Sequence, residues 1–300
     1  MKKLLISIVT IFAISFFALA EMTIYVYKKD GTKVPYVAAD IDSIGFVEVE
    51  EDNYVAKPFS ITETKLVIFS AGNLQYHAVN DEWRFAPKQT DYIGEDNSNV
   101  SSTYNGWIDL FGWGTGNNPT NSSTDYNDYS TFVDWGVNKI GNEDPNTWRT
   151  LTEDEWYFLL YNRTNASKLK GIAQVNGVNG LILLPNEWEN PSDIIFKSGF
   201  NESAGIEFYS DYQMFNKKEW AILEESGAIF LPAAGRKSPL EGVVYIGGVQ
   251  HYYAYMSASL APTDEGQFQY QNISGTSSGV YMTSPTTEQG CSVRLVLDVE

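Results

Sequence analysis

The chain has 300 residues, 43% of them hydrophobic and 14% aromatic, with 38 acidic against 20 basic side chains and a formal charge of −18. Such a charge repels a polyanion, which excludes nucleic acid as a partner. Its one cysteine, Cys291, allows no intrachain disulfide, so the fold has to rest on its core.

The chain opens with Lys2 and Lys3, an apolar run from Leu4 to Leu19, and small residues at Ala18 and Ala20. This reads as a secretory signal peptide over residues 1–20, with a mature chain starting near Glu21. An uncleaved anchor is the alternative, because the run is only slightly short of a bilayer-spanning length. No cysteine stands near the cleavage region to carry a lipid, and no later stretch is apolar for long enough to span a membrane. Residues 21–55 read as a small β module and linker. Thr23–Tyr27 is β-rich, Asp30-Gly31 is a hairpin turn signal, and Val34–Val37 returns as its partner. A turn and strand over Asp40–Phe46 and the acidic run Glu48–Asp52 complete it.

The main domain is expected over residues 56–300. Paired strands are expected at Phe59–Ile61, Lys65–Phe69, Asn73–Tyr76 and Trp83–Ala86. Residues 91–146 then read as one long loop, rich in Asn, Asp, Ser, Thr, Gly and Tyr. Such a loop is usually either functional or disordered. Trp107, Trp113 and Trp135 along it, with Trp148 just after, argue for order, because their apolar surface pins it down.

The same arrangement then occurs twice. Thr152-Glu153-Asp154-Glu155-Trp156 reads as a capping box opening a helix, followed by a strand at Gly180–Pro185; Asn216-Lys217-Lys218-Glu219-Trp220 opens another, followed by Gly227–Pro232. Trp156, Leu159 and Leu160 share the buried face of the first helix, with Arg163 at its margin. Gly227 is a good residue to end the second. Later strands are expected at Val243–Ile246, Tyr252–Ser257, Gln267–Tyr270, Val280–Met282 and Ser292–Val296, with Cys291 as a buried, inert thiol. With two helices and no βα alternation, the class is α+β.

Several local patterns invite a chemical reading. Gly275-Thr276-Ser277-Ser278-Gly279 has the letters of a nucleophile elbow, but strand-like sequence follows it and no histidine lies downstream. Gly112, Gly114 and Gly116 lack the spacing of a phosphate-binding loop. His77 and His251 each stand alone, without metal ligands at useful spacing. Asp125, Asn127 and Asp128 offer clustered oxygens for a structural Ca²⁺, with Glu95, Asp96 and Asp134 as further donors, yet without the spacing of a helix–loop–helix site; solvated turn residues are the plainer reading. No other cofactor is implied. Trp107, Trp113, Tyr126, Trp135, Tyr252, Tyr253 and Tyr255 are the pool from which an aromatic ligand platform could be built. Core packing is the competing role for each.

Thr150-Leu151-Thr152-Glu153-Asp154-Glu155-Trp156 resembles the helix start of formylglycine-generating-enzyme-like domains, and Tyr255-Met256-Ser257-Ala258-Ser259 resembles one of their strands. Across residues 59–298, Phe69–Tyr76, Asp109–Trp113, Asn146–Thr152 and Phe230–Gly235 resemble strings in secreted surface proteins of gut-dwelling Gram-negative anaerobes. The resemblance implies a C-type-lectin-like domain: two helices flanking a small, mostly antiparallel sheet with a long loop region, here preceded by a small β-hairpin module. Formylglycine-generating catalysis uses paired cysteines, so it does not carry over to this chain. Asp144-Pro145-Asn146 only approximates the calcium-binding tripeptide of animal lectins. Asp42-Ser43-Ile44 resembles an O-glycosylation acceptor of exported proteins, with Ser43 as the candidate residue; capping a turn of helix is its competing and plainer role.

The expected function is therefore an exported, non-catalytic recognition or adhesion protein at the cell surface. It would bind an extracellular glycan or a surface or matrix protein through residues 91–146 and the Tyr252–Tyr255 strand. A diverged formylglycine-generating-type enzyme and a structural component of a surface assembly are the alternatives.

Overall fold

A computed structural model of the chain describes residues 23–27, 33–37, 57–191, 194–200, 209, 212–261 and 269–299. The chain divides into two units, Met1–Glu51 and Asp52–Glu300. In the first, Thr23–Tyr27 pairs antiparallel with Lys33–Val37 in register Thr23 to Val37. The signal segment, the Asp30-Gly31 turn, residues 40–52 and Ser43 lie outside the described residues.

The second unit is mixed α+β, mostly sheet with few helices. Its two ends meet: Leu66–Phe69 lies between Phe59–Ser60 and Val296–Val299, antiparallel to both. The closing strand thus starts where the sequence places its end. Residues 291–295 are instead joined to separate segments by isolated bridges and single bonds. Cys291 exchanges backbone bonds with Phe111, Val293 accepts from Leu74 N, and Leu295 accepts from Ser70 N.

A four-stranded sheet runs Met214–Phe215, Lys170–Val175, Val178–Leu183, Ile229–Pro232, with only its first pair parallel. The strand Lys170–Val175 is one that the reading of the sequence passes over. Its signal is Asn176-Gly177, where φ of 51° and 82° gives the left-handed two-residue turn that hairpins prefer. A further hairpin pairs Arg236–Leu240 with Val243–Gly247, and Tyr253–Ala261, Gln269–Thr276 and Gly279–Thr283 form a meander. Ser277-Ser278 is the turn between two of these strands, so the elbow-like letters sit in a β-hairpin.

Both capping boxes form. In α1 (Glu153–Tyr157), Thr152 Oγ1 accepts from Glu155 N at 3.3 Å, and Glu155 Oε2 accepts from Thr152 N at 2.8 Å. In α2 (Lys217–Glu225), Asn216 Oδ1 accepts from Glu219 N at 3.2 Å, and Glu219 Oε2 accepts from Asn216 N at 2.8 Å. Gly227, at φ 97°, ends α2 with the paired bonds Gly227 N to Glu224 O and Ala228 N to Leu223 O. The first helix runs on as a π-type turn over Phe158–Asn162. Arg163 is not marginal but buried: its Nε donates to Leu159 O at 2.8 Å and its Nη2 to Leu169 O at 3.3 Å, capping that turn, while burial lowers its pKa to about 9.

Three large apolar clusters fill the domain. Trp156 packs with Phe59, Phe69 and Tyr253 in one; Trp220 packs with Phe230 and Phe215 in another. The third belongs largely to the long loop: Phe111, Trp113 and Trp135 pack with Trp83, Trp148, Cys291 and Val293. Residues 91–146 are accordingly an ordered layer, with turns of 3₁₀ helix at Gly94–Asn99, Tyr126–Tyr129 and Trp135–Val137.

Candidate functional site

The aromatic pool divides by burial. Trp135 is 0% exposed between Phe111 and Phe132, at ring-centroid distances of 6.0 and 5.9 Å. Trp113 is 2% exposed, tilted against Phe132 with ring centroids 5.0 Å apart, and its Nε1 donates to Ser257 O at 3.2 Å. Tyr253 and Tyr255 are fully buried; Tyr253 donates to Gly279 O at 2.7 Å, and Tyr255 accepts from Asn73 Nδ2 at 3.1 Å. These four rings have no face to offer a ligand, which corrects their placement in a solvent-facing platform. The apolar area of these indoles goes to pinning the loop, where they pack with Ile108, Phe111 and Ile140 in one core cluster.

Trp107, Tyr126 and Tyr252 keep partial exposure but have different neighbours. The Arg84 guanidinium lies 3.6 Å over the Trp107 ring, with His77 at its edge, whereas Arg236 lies 5.8 Å from the Tyr252 ring centre. Tyr126 sits on the 3₁₀ turn Tyr126–Tyr129.

The long loop does form a concavity, by a different set of residues. A cleft of about 310 Å³ is lined by Asn117, Asn118, Asn121, Asp128, Ser130 and Thr131, with Gly114, Thr115 and Val133 behind them. None of the seven aromatics lines it. Its two sides are held together by a glycine pair: Gly116 N donates to Val133 O at 3.0 Å, and Val133 N to Gly114 O at 3.1 Å. A Cβ on Gly116 would lie against the Asp134 carbonyl, and one on Gly114, at φ 68°, would meet Phe132 Cα at 2.7 Å. The spacing Gly114-Thr115-Gly116 thus serves close backbone approach.

The cleft rests on two buried polar supports. Lys237, fully buried, donates from Nζ to the Asn121 carbonyl at 3.1 Å, and burial lowers its pKa to about 8. Asn97 and Asp109, both 0% exposed, clamp one another at the base of the loop. Asn97 Nδ2 donates to Asp109 Oδ1 at 2.8 Å, and Asn97 Oδ1 accepts from Asp109 N at 2.9 Å and Leu110 N at 3.1 Å. Burial raises the Asp109 pKa to about 6, against the hydrogen bonds its carboxylate accepts from Asn97 Nδ2 and Ile93 N.

Of the calcium trio, only Asp128 lines the cleft. Asp125 caps the 3₁₀ turn instead, accepting from Asn127 N at 2.9 Å and Asn127 Nδ2 at 2.7 Å, so one of its oxygens is already engaged. Among the described residues, no three His, Cys, Asp or Glu side chains gather as a metal set. In the cleft lining Asp128 is the one ionisable group; amides and hydroxyls dominate. The Asn117 and Asn118 carboxamides make no hydrogen bond among the described residues.

A second cleft, of about 430 Å³, was not legible as a site. It is lined by Asn165, Lys168, Trp188, Asn190, Phe196 and Ser198, together with Leu169 and Asn186. Its one available signal was Asn186-Glu187-Trp188-Glu189-Asn190, a tryptophan enclosed by polar residues and lying outside any helix or strand. No helix of the described residues is long and apolar enough to cross a membrane.

Comparison of the chain with family models, curated proteins and solved structures finds no match.

Proposed function

We propose that this is an exported, non-catalytic recognition protein with a C-type-lectin-like main domain, and that the cleft of the long loop binds an extracellular glycan. The observation that carries the reading is the chemistry of that cleft. Free carboxamides at Asn117 and Asn118 and hydroxyls at Ser130 and Thr131 offer paired donors and acceptors, the pattern that matches vicinal sugar hydroxyls. Export is supported by the basic start, apolar run and small residues of the first twenty positions. Ordered loops on a rigid scaffold commonly supply recognition contacts. Here, buried tryptophans and the Asn97–Asp109 clamp hold the loop in place before any ligand arrives.

The test is a glycan array probed with the chain from Glu21 onward, beside the Asn117→Ala/Asn118→Ala double variant. These side chains are exposed, so the variant is expected to fold normally. A glycan retained by the parent and weakened by about tenfold or more in the variant supports the site. Equal binding by both proteins moves the site elsewhere, and an array with no retained glycan removes the glycan reading.

A further inference from the structure

The second cleft differs from the loop cleft in having an aromatic wall and a positive charge. Trp188 is half-buried against the apolar cluster that includes Phe196 and Ile194. Its indole N–H donates to Asn190 Oδ1 at 3.1 Å, and the same oxygen accepts from Phe196 N at 3.4 Å. The ring and the cleft floor are therefore fixed to each other in advance. Asn186 is fully engaged: its Oδ1 accepts from Ser60 N and Arg163 Nη1, and its Nδ2 donates to Ser60 Oγ. It is framework.

Other polar groups of the lining remain available. Among the described residues, the Asn165 carboxamide, the Asn190 Nδ2 and the Ser198 hydroxyl make no side-chain hydrogen bond. Asn165 sits in the left-handed region at φ 61° and opens the short turn Ala166–Lys168 without capping it. Lys168, exposed, forms no ion pair among the described residues and is the single formal charge in the lining. In a chain of net charge −18, a cleft whose only charge among the described lining residues is positive selects an anion against the overall field.

We propose that this cleft binds a carboxylate-bearing sugar unit, a uronate or sialate residue of an acidic glycan. The apolar face of the pyranose lies on Trp188, its hydroxyls meet Asn165, Asn190 and Ser198, and its carboxylate pairs with Lys168. The cleft volume falls within the range of about 300–1,000 Å³ usual for small-ligand sites. The amide and hydroxyl lining beside an aromatic wall favours a saccharide over an acidic peptide, which would need more than one cation to be held by charge. This site is independent of the loop cleft, and either can fail alone.

Titration calorimetry of the chain from Glu21 onward tests it with four probes: tetragalacturonate, its methyl ester, sialyllactose and lactose. At least one acidic sugar is expected to bind, and its uncharged counterpart to bind about tenfold more weakly or not at all. Lys168→Glu, at an exposed position that leaves folding unaffected, should abolish the preference for acid. Trp188→Ala should remove binding of the preferred acidic probe, with the thermal midpoint checked in parallel. Raising the salt from 0.05 to 0.5 M should weaken the acidic probe alone, since the Lys168 pair is exposed to screening. Absence of binding by both acidic sugars, a preference that survives Lys168→Glu, or tighter binding of an oligoglutamate peptide would each overturn the assignment.

Discussion

Lys237 Nζ donates at 3.1 Å to the backbone carbonyl of Asn121, so a fully buried ammonium holds one wall of the loop cleft from inside the protein. A buried cation with a single carbonyl partner among the described residues is costly, and burial accordingly lowers its pKa from 10.5 to about 8. Below pH 8 the group is charged in both folded and unfolded chains, and the penalty is felt in full. Between pH 8 and 10.5 the unfolded chain holds the proton and the folded chain does not, so this group's contribution to stability rises with pH.

Lys237→Met should therefore be about 1–3 kcal/mol more stable than the parent at pH 7, as seen when buried charges give way to apolar side chains. The gain should shrink as pH rises from 8 toward 10.5. Urea titrations of both proteins at pH 7 and 9.5 check this; a difference that stays constant with pH would mean that Lys237 does not titrate in that window.

Asn97→Ala should be among the most damaging substitutions in the loop. It removes the acceptor for two buried backbone N–H groups and the donor to a buried carboxylate in one step. A loss of about 3–5 kcal/mol is expected from groups left unsatisfied. Loss of hydrogen-exchange protection should centre on Asp109 and Leu110, and unchanged protection there would contradict the clamp.

Gly116→Ala should separate the two sides of the loop cleft, since its Cβ would lie only 2.4 Å from the Asp134 carbonyl oxygen. We expect roughly 2–4 kcal/mol of destabilisation, together with impaired glycan binding. Gly242→Ala is a useful contrast. That residue has positive φ, 79°, but open space around its Cβ position, so its cost should stay near 1 kcal/mol.

Trp156→Ala and Trp220→Ala should each cost roughly 3–5 kcal/mol as buried aromatics, and Trp135→Ala should match them. The last comparison separates a core role from a binding role for the loop tryptophans. A Trp135→Ala protein of parental stability by chemical denaturation would return that residue to the surface.

Features that depend on neighbours a few residues apart were legible from sequence. The capping boxes at Thr152–Glu155 and Asn216–Glu219, the helix stop at Gly227 and the α+β class all rest on local hydrogen-bond geometry and periodicity, and the structure reproduces them. The glycines of Gly112–Gly116 were legible as unsuited to phosphate. That Gly114 and Gly116 allow close backbone approach was not, because their partners at residues 131–134 are set by the path of the loop.

Which aromatic faces a ligand is a different kind of question, and tertiary structure alone answered it. A tryptophan in an aperiodic loop has the same local signature whether it is pinned inward or displayed. Trp113 is buried because its N–H finds the Ser257 carbonyl 144 residues later in the chain. Tyr255 is buried through Asn73, 182 residues earlier. Trp188, by contrast, keeps a face on a cleft because Asn190 and Phe196 hold its ring at the edge of a cluster. Sequence by itself determined the start and stop signals, the buried helix tryptophans and the charge balance, which are properties of short segments and composition. The inward or outward direction of each loop aromatic, and with it the place of both clefts, came from contacts between distant segments that no local pattern encodes.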